Sequence, residues 1–198
     1  MTITARAVAD LRAKTGAGMM DCKHALAETS GDEVKAMELL RQKGLQTADK
    51  KAGRATAEGR VFSYIHHNNR VGVLVQIACE TDFVARGDDF ESLCKDVAMH
   101  IAAVTPVPVA VSAEDVPSEL VEDERRILLG SEDMVGKPDE IKQKIVGGRI
   151  DKFIQERALL EQEFVLGEGT IGDRLKATIS KVGENMLIEH FARFELGA

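Results

Sequence analysis

The sequence predicts an α+β protein: an N-terminal three-helix bundle followed by an α+β core in which an antiparallel sheet packs against helices. Three observations carry this. The first 44 residues hold three short amphipathic segments separated by glycine-containing turns. A strand–turn–strand pattern then spans Val61 to Cys79. Amphipathic helices and one further alternating strand follow without the regular strand–helix repeat of a parallel sheet.

The elements follow in order. Thr4 caps a first helix carrying Ala7, Val8 and Leu11, which stops near Thr15 because Gly16-Ala17-Gly18 breaks it. Met20 to Thr29 forms a second helix, ended by Ser30-Gly31. Asp32 caps a third, with Val34, Met37 and Leu40 at helical spacing and Gly44 as its stop. A bundle this small buries little apolar surface. Residues 45–60 mix charges with small residues and lack an apolar stripe, so they read as a linker, with partial helix allowed, and a boundary near Gly53. The resulting division is 1–52 and 53–198.

Val61 to His66 reads as a strand, His67 to Arg70 as a hairpin turn, and Val71 to Cys79 as the returning strand. Val71, Val73, Val75 and Ile77 share one face of the latter, and Gly72, Leu74 and Ala78 the other, so cover on both faces is expected. Glu80 to Gly87 reads as a polar loop containing Phe83 and Val84. A helix from about Asp88 carries Phe90, Leu93, Val97, Ile101 and Val104 until Pro106 and Pro108. Helices are expected around Leu120 to Leu129 and from Pro138, the latter interrupted or kinked at Gly147-Gly148. Glu161 to Leu166 suits a short strand, and Ile171 to Val182 a helix ending at Gly183. The closing segment alternates, with Met186, Ile188, Ala192, Phe194 and Leu196 on one face.

Composition narrows the function. The 198 residues carry a net charge of −7, which argues against a direct nucleic-acid partner. The charge is uneven: ten Lys/Arg against seven Asp/Glu in residues 1–54, then sixteen against twenty-six. The three cysteines form no CxxC pair, so reduced thiols and a cytoplasmic location are expected. A secretory leader and a membrane span are not expected, since no apolar run is long enough.

No phosphate-loop motif is present, and Gly16-Ala17-Gly18 lies between helices rather than after a strand. His66 and His67, adjacent on a strand, would point to opposite faces and could not share a metal. No nucleophile elbow occurs, and Cys79 sits on a buried-looking strand. No catalytic group, metal or cofactor is therefore expected. Two features exceed core building. Met19-Met20 follows the glycine turn, where it suits either the small core or a partner surface. Phe83 stands among Thr81, Asp82, Arg86 and Gly87, either tucked back or projecting as an aromatic anchor.

Residues 11–23, Leu-Arg-Ala-Lys-Thr-Gly-Ala-Gly-Met-Met-Asp-Cys-Lys, resemble the N-terminal signature of the elongation factor Ts family. Residues 79–86, Cys-Glu-Thr-Asp-Phe-Val-Ala-Arg, resemble its second signature. His66-His67-Asn68, the run from Arg70 to Val75 and Arg193-Phe194-Glu195 are also similar to the family pattern, so the likeness runs from end to end. Departures are His24 on the second helix and Gln76 and Ala78 ahead of the second signature. The resemblance implies that residues 1–52 form a ubiquitin-associated-like (UBA-like) domain docking on elongation factor Tu through Leu11, Thr15, Gly16, Met19 and Met20. It further implies that Thr81, Asp82, Phe83 and Val84 disturb that partner's magnesium and phosphate site, releasing GDP. This chain itself would bind no nucleotide, and the short form of the family implies a homodimer. A rival expectation is a generic UBA-like adaptor, which the three helices alone permit.

Overall fold

A computed structural model describes residues 3–197. Among the described residues, eight helices and a three-stranded sheet make an α+β protein. The helices are α1 (Ala5–Thr15), α2 (Met19–Glu28), α3 (Glu33–Asp49), α4 (Asp82–Ala85), α5 (Asp88–Ala103), α6 (Ser118–Leu129), α7 (Asp139–Arg157) and α8 (Ile171–Val182). The strands β1 (Glu58–Ile65), β2 (Val71–Cys79) and β3 (Met186–Glu195) lie in the order β1-β2-β3 and run antiparallel. The chain divides into two compact units that do not follow a single cut. Of the described residues, one unit contains 3–59, 78–93 and 173–187; the other contains 60–77, 94–172 and 188–197.

In the first unit, local signals set the bundle. The Thr4 side chain accepts from the Ala7 N–H and starts α1, and Gly16, at φ 68°, closes it. Asp32 accepts from the Lys35 N–H and starts α3. Val8, Leu11, Cys22, Ala25, Leu26, Ala36 and Leu40 form the core. Two expectations for α3 need correction. Its inward face is Ala36, Leu40 and Ala48, while Val34 and Met37 are exposed. Gly44 also does not stop it: α3 continues to Asp49, and a Cβ at Gly44 would meet the Ser180 hydroxyl of α8 at 3.4 Å, an ordinary contact.

In the second unit, Val71, Val73, Val75 and Ile77 point inward from β2, and α5 contributes buried Val97, Ala98 and Ile101. Asn69 takes φ 55° in the hairpin turn, the left-handed conformation asparagine tolerates. The other face of β2 is covered at Ala78 as expected but not further along, where Leu74 is 45% exposed and Gly72 and Gln76 are half-buried. Single-face alternation also fails on β3. Met186 and Ile188 are buried, but Ala192, Phe194 and Leu196 are exposed, and Phe191 and Arg193 turn partly inward instead.

Helix α7 runs through Gly147-Gly148 unbroken, with Val146 and Ile150 packed beside Met134. Burial on both sides offsets the roughly 1 kcal/mol helix penalty of each glycine. The strand expected at Glu161 to Leu166 is instead a 3-10 turn at Leu159–Glu161 and one bridge between Glu163 and Thr170. Fully buried His100 pins this region: its Nδ1 accepts from the Val165 N–H at 3.4 Å, so Nε2 carries the proton toward Gln162 Oε1 at 3.0 Å. His66 and His67 lie past the end of β1, so strand alternation does not separate them and their rings are 4.2 Å apart. Among the described residues, no His/Cys/Asp/Glu group could hold a metal, and no helix is long and apolar enough to cross a membrane.

Candidate functional site

The segment read as a polar loop after β2 contains a helical turn, α4. Thr81 is its cap, in an extended conformation, and its hydroxyl accepts from the Val84 N–H at 3.4 Å. Val84 and Ala85 are buried and anchor the turn. Phe83, between Asp82 and Val84, is 84% exposed. The tucked-back alternative for this ring is therefore excluded. Asp82 is exposed beside it and accepts from Arg86 Nη2 at 2.7 Å.

The root of this tip is braced by Glu184 and Asn185, to which the sequence assigns no role. Glu184 accepts from Thr81 twice, from its N–H at 3.0 Å and from its hydroxyl at 2.7 Å. The adjoining Asn185 is buried; its N–H donates to Glu80 Oε1 at 2.6 Å and its side-chain amide to the Arg54 carbonyl at 2.9 Å. Arg54 and Glu80 approach to 3.5 Å. Gly183, at φ 85°, closes α8 and turns the chain toward these partners. The only sequence signal is Gly183-Glu184-Asn185, a helix stop followed by two polar residues before a strand. The buried Cys79 thiol donates to the Thr81 carbonyl, and burial, with the Glu184 charge second, pushes its pKa up. It is a structural thiol rather than a reactive one.

The glycine turn of the bundle offers a second exposed surface in the same unit. Met19 and Met20 are 49% and 57% exposed, so neither fills the bundle core. Thr15 is half-buried, its hydroxyl donating to the Leu11 carbonyl and accepting from the Ala17 N–H. Leu11 itself is fully enclosed. A docking role through its own side chain is incompatible with that burial; it supports the turn from beneath. A cavity of about 420 Å³ is bordered by Gly16, Ala17, Gly18 and Met37, a methionine the sequence reading assigned to the core.

Together these features define a small α+β protein that presents exposed apolar side chains on turns anchored by buried neighbours and hydrogen bonds. The sequence model of the elongation factor Ts family matches residues 47–198, which contain the braced tip. Elongation factor Ts of Synechococcus sp. (strain WH7803) is 53% identical over 196 residues, covering 98% of this chain and 89% of that one. Elongation factor Ts of Prochlorococcus marinus (strain MIT 9301) is likewise 53% identical over 196 residues, covering 98% and 89%. The chain belongs to the elongation factor Ts family, a family of translation elongation factors.

Proposed function

We propose that this chain is a guanine-nucleotide exchange factor that binds elongation factor Tu carrying GDP and promotes release of the GDP. The glycine turn with Met19 and Met20 docks on the partner, over Thr15, Gly16 and the supporting Leu11. Asp82 and Phe83, shaped by Thr81 and Val84, enter the partner near its magnesium and phosphates. Intrusion there weakens metal coordination and the phosphate loop's hold, so the diphosphate leaves. The process is linkage between two ligands of one partner: whatever this chain gains by binding the nucleotide-free state is subtracted from GDP affinity, and the reverse. No bond is made or broken, so the chain acts without a catalytic residue, metal or cofactor, and it does so in the cytoplasm.

The observation that carries this reading is the 84% exposure of Phe83 on a turn whose next two residues are buried. An aromatic ring held outward by a rigid support is the form of an interface anchor. The open sheet face, with exposed Val61, Ile65, Leu74, Phe194 and Leu196, supports a homodimer in which a second copy covers it. The deciding experiment is release of a fluorescent GDP analogue from purified elongation factor Tu, with and without this chain. Accelerated, saturable release is expected; release at the spontaneous rate at every concentration would refute the proposal.

A further inference from the structure

We infer that Glu184 is a positioning residue for the Phe83 tip, acting through Thr81. The inference rests on the exchange reading above. A four-residue helix has almost no intrinsic stability, because a single turn carries the full cost of nucleation. The exposed Phe83 ring adds little to hold it. Orientation of the ring must then come from the root of the turn.

Thr81 occupies that root and has two donors, its N–H and its hydroxyl. Both go to Glu184, one to each carboxylate oxygen. A hydroxyl has one proton and two lone pairs. Committing the proton to Glu184 leaves the lone pairs to face α4, where the Val84 N–H donates to that oxygen. The carboxylate thus sets the polarity of the cap as well as its place. Glu184 is fixed in turn, between Gly183 at the end of α8 and buried Asn185, whose bonds to Glu80 and Arg54 secure the other side of the root. Charge-assisted bonds of this kind are about twice as strong as neutral ones. A tip fixed before contact loses less freedom on entering a partner. The effect therefore belongs to the inserted state, and appears in the maximal rate of GDP release rather than in docking.

The test measures GDP release from elongation factor Tu over a concentration series, giving a maximal rate and a half-saturating concentration for each variant. Glu184→Ala is expected to lower the maximal rate about tenfold, the equivalent of one charge-assisted hydrogen bond, and to leave the half-saturating concentration within about twofold. Thr81→Val removes the hydroxyl from the other side of the same contact and serves if Glu184→Ala fails to fold. Thr81→Ser, which keeps both donors, recovers most of what Thr81→Val loses. In a Phe83→Ala background, Glu184→Ala causes no further loss, because the residue acts through the ring. Additive losses in that double variant, or a raised half-saturating concentration with an unchanged maximal rate, overturn the assignment. If the parent chain and Phe83→Ala differ while Glu184→Ala and Thr81→Val match the parent, the Glu184 inference alone falls. If the parent itself does not accelerate release, the exchange reading falls and takes this inference with it.

Discussion

Truncating Phe83 to alanine separates folding from function at one residue. With the ring 84% exposed, Phe83→Ala removes few internal contacts, and stability is expected to change by less than about 0.5 kcal/mol. In a complex the same ring would be desolvated. Full burial of a phenylalanine side chain is worth about 1.5–3 kcal/mol. Lost from the inserted state alone, that corresponds to a reduction of about 10- to 150-fold in the maximal rate of GDP release. The exposed methionines of the glycine turn lie outside the substitution, so the half-saturating concentration stays near that of the parent. Stopped-flow release of a fluorescent GDP analogue gives both quantities, and urea unfolding gives the stability. A Phe83→Ala variant that releases GDP at the parent rate refutes the wedge. So does one whose slower release is matched by a loss of folded protein.

Four further outcomes are expected. Replacing Met19 and Met20 together by serine, both exposed in the structure, raises the half-saturating concentration while leaving the unfolding midpoint unchanged; kinetics and calorimetry check the pair. Phe194→Asp places a charge on the 67% exposed end of the open sheet face and shifts sedimentation toward the monomer without loss of secondary structure. Burial lowers the pKa of His100 below its ordinary 6.5, so the unfolded chain takes up the proton first as pH falls. Its contribution is complete above about pH 6.5 and is lost progressively below, down to the lowered folded value, so His100→Gln flattens the difference in urea stability between about pH 7.5 and 5.5. Gly16→Ala forces a Cβ into the left-handed region and to 3.3 Å from Lys181 Cε, costing about 1 kcal/mol and lowering the melting temperature by about 2–4 °C.

Local chemistry made much of the fold legible. Thr4 and Asp32 cap helices through their own side chains, Gly16 and Gly183 end them at positive φ, and Asn69 turns the hairpin. Each signal acts within a few residues of itself. The misread features depend on distant residues. Gly44 looks like a stop because nothing beside it in the sequence shows that α3 continues to Asp49, and Gly147-Gly148 like a break or kink until the burial of Val146 and Ile150 is known. The change of buried parity in β3 is invisible in the sequence, because the apolar alternation of Met186 and Ile188 simply continues through Ala192 and Phe194. Within the candidate site, Thr81 to Val84 stood out by composition. Glu184, 103 residues further on, did not, since a lone carboxylate after a helix has no pattern of its own.

Why the tip is a helical turn follows from the three residues it must sort. Phe83 is exposed while Val84 and Ala85 are buried. On a strand, side chains alternate, so residues 83 and 85 would share a face and could not be divided in this way. In a helix, successive residues are displaced by about 100°. One turn can therefore seat Val84 and Ala85 in the protein and swing Phe83 outward. That geometry alone does not keep the ring out, since returning it to an apolar surface would gain about 2 kcal/mol. Opposing that collapse are the two bonds from Thr81 to Glu184 and the cap bond from Val84, all of which would be strained or broken by turning the segment inward. Exposure of the ring and bracing of its root thus depend on each other, and a variant that relaxes the brace is expected to let the ring sample inward as well as outward positions.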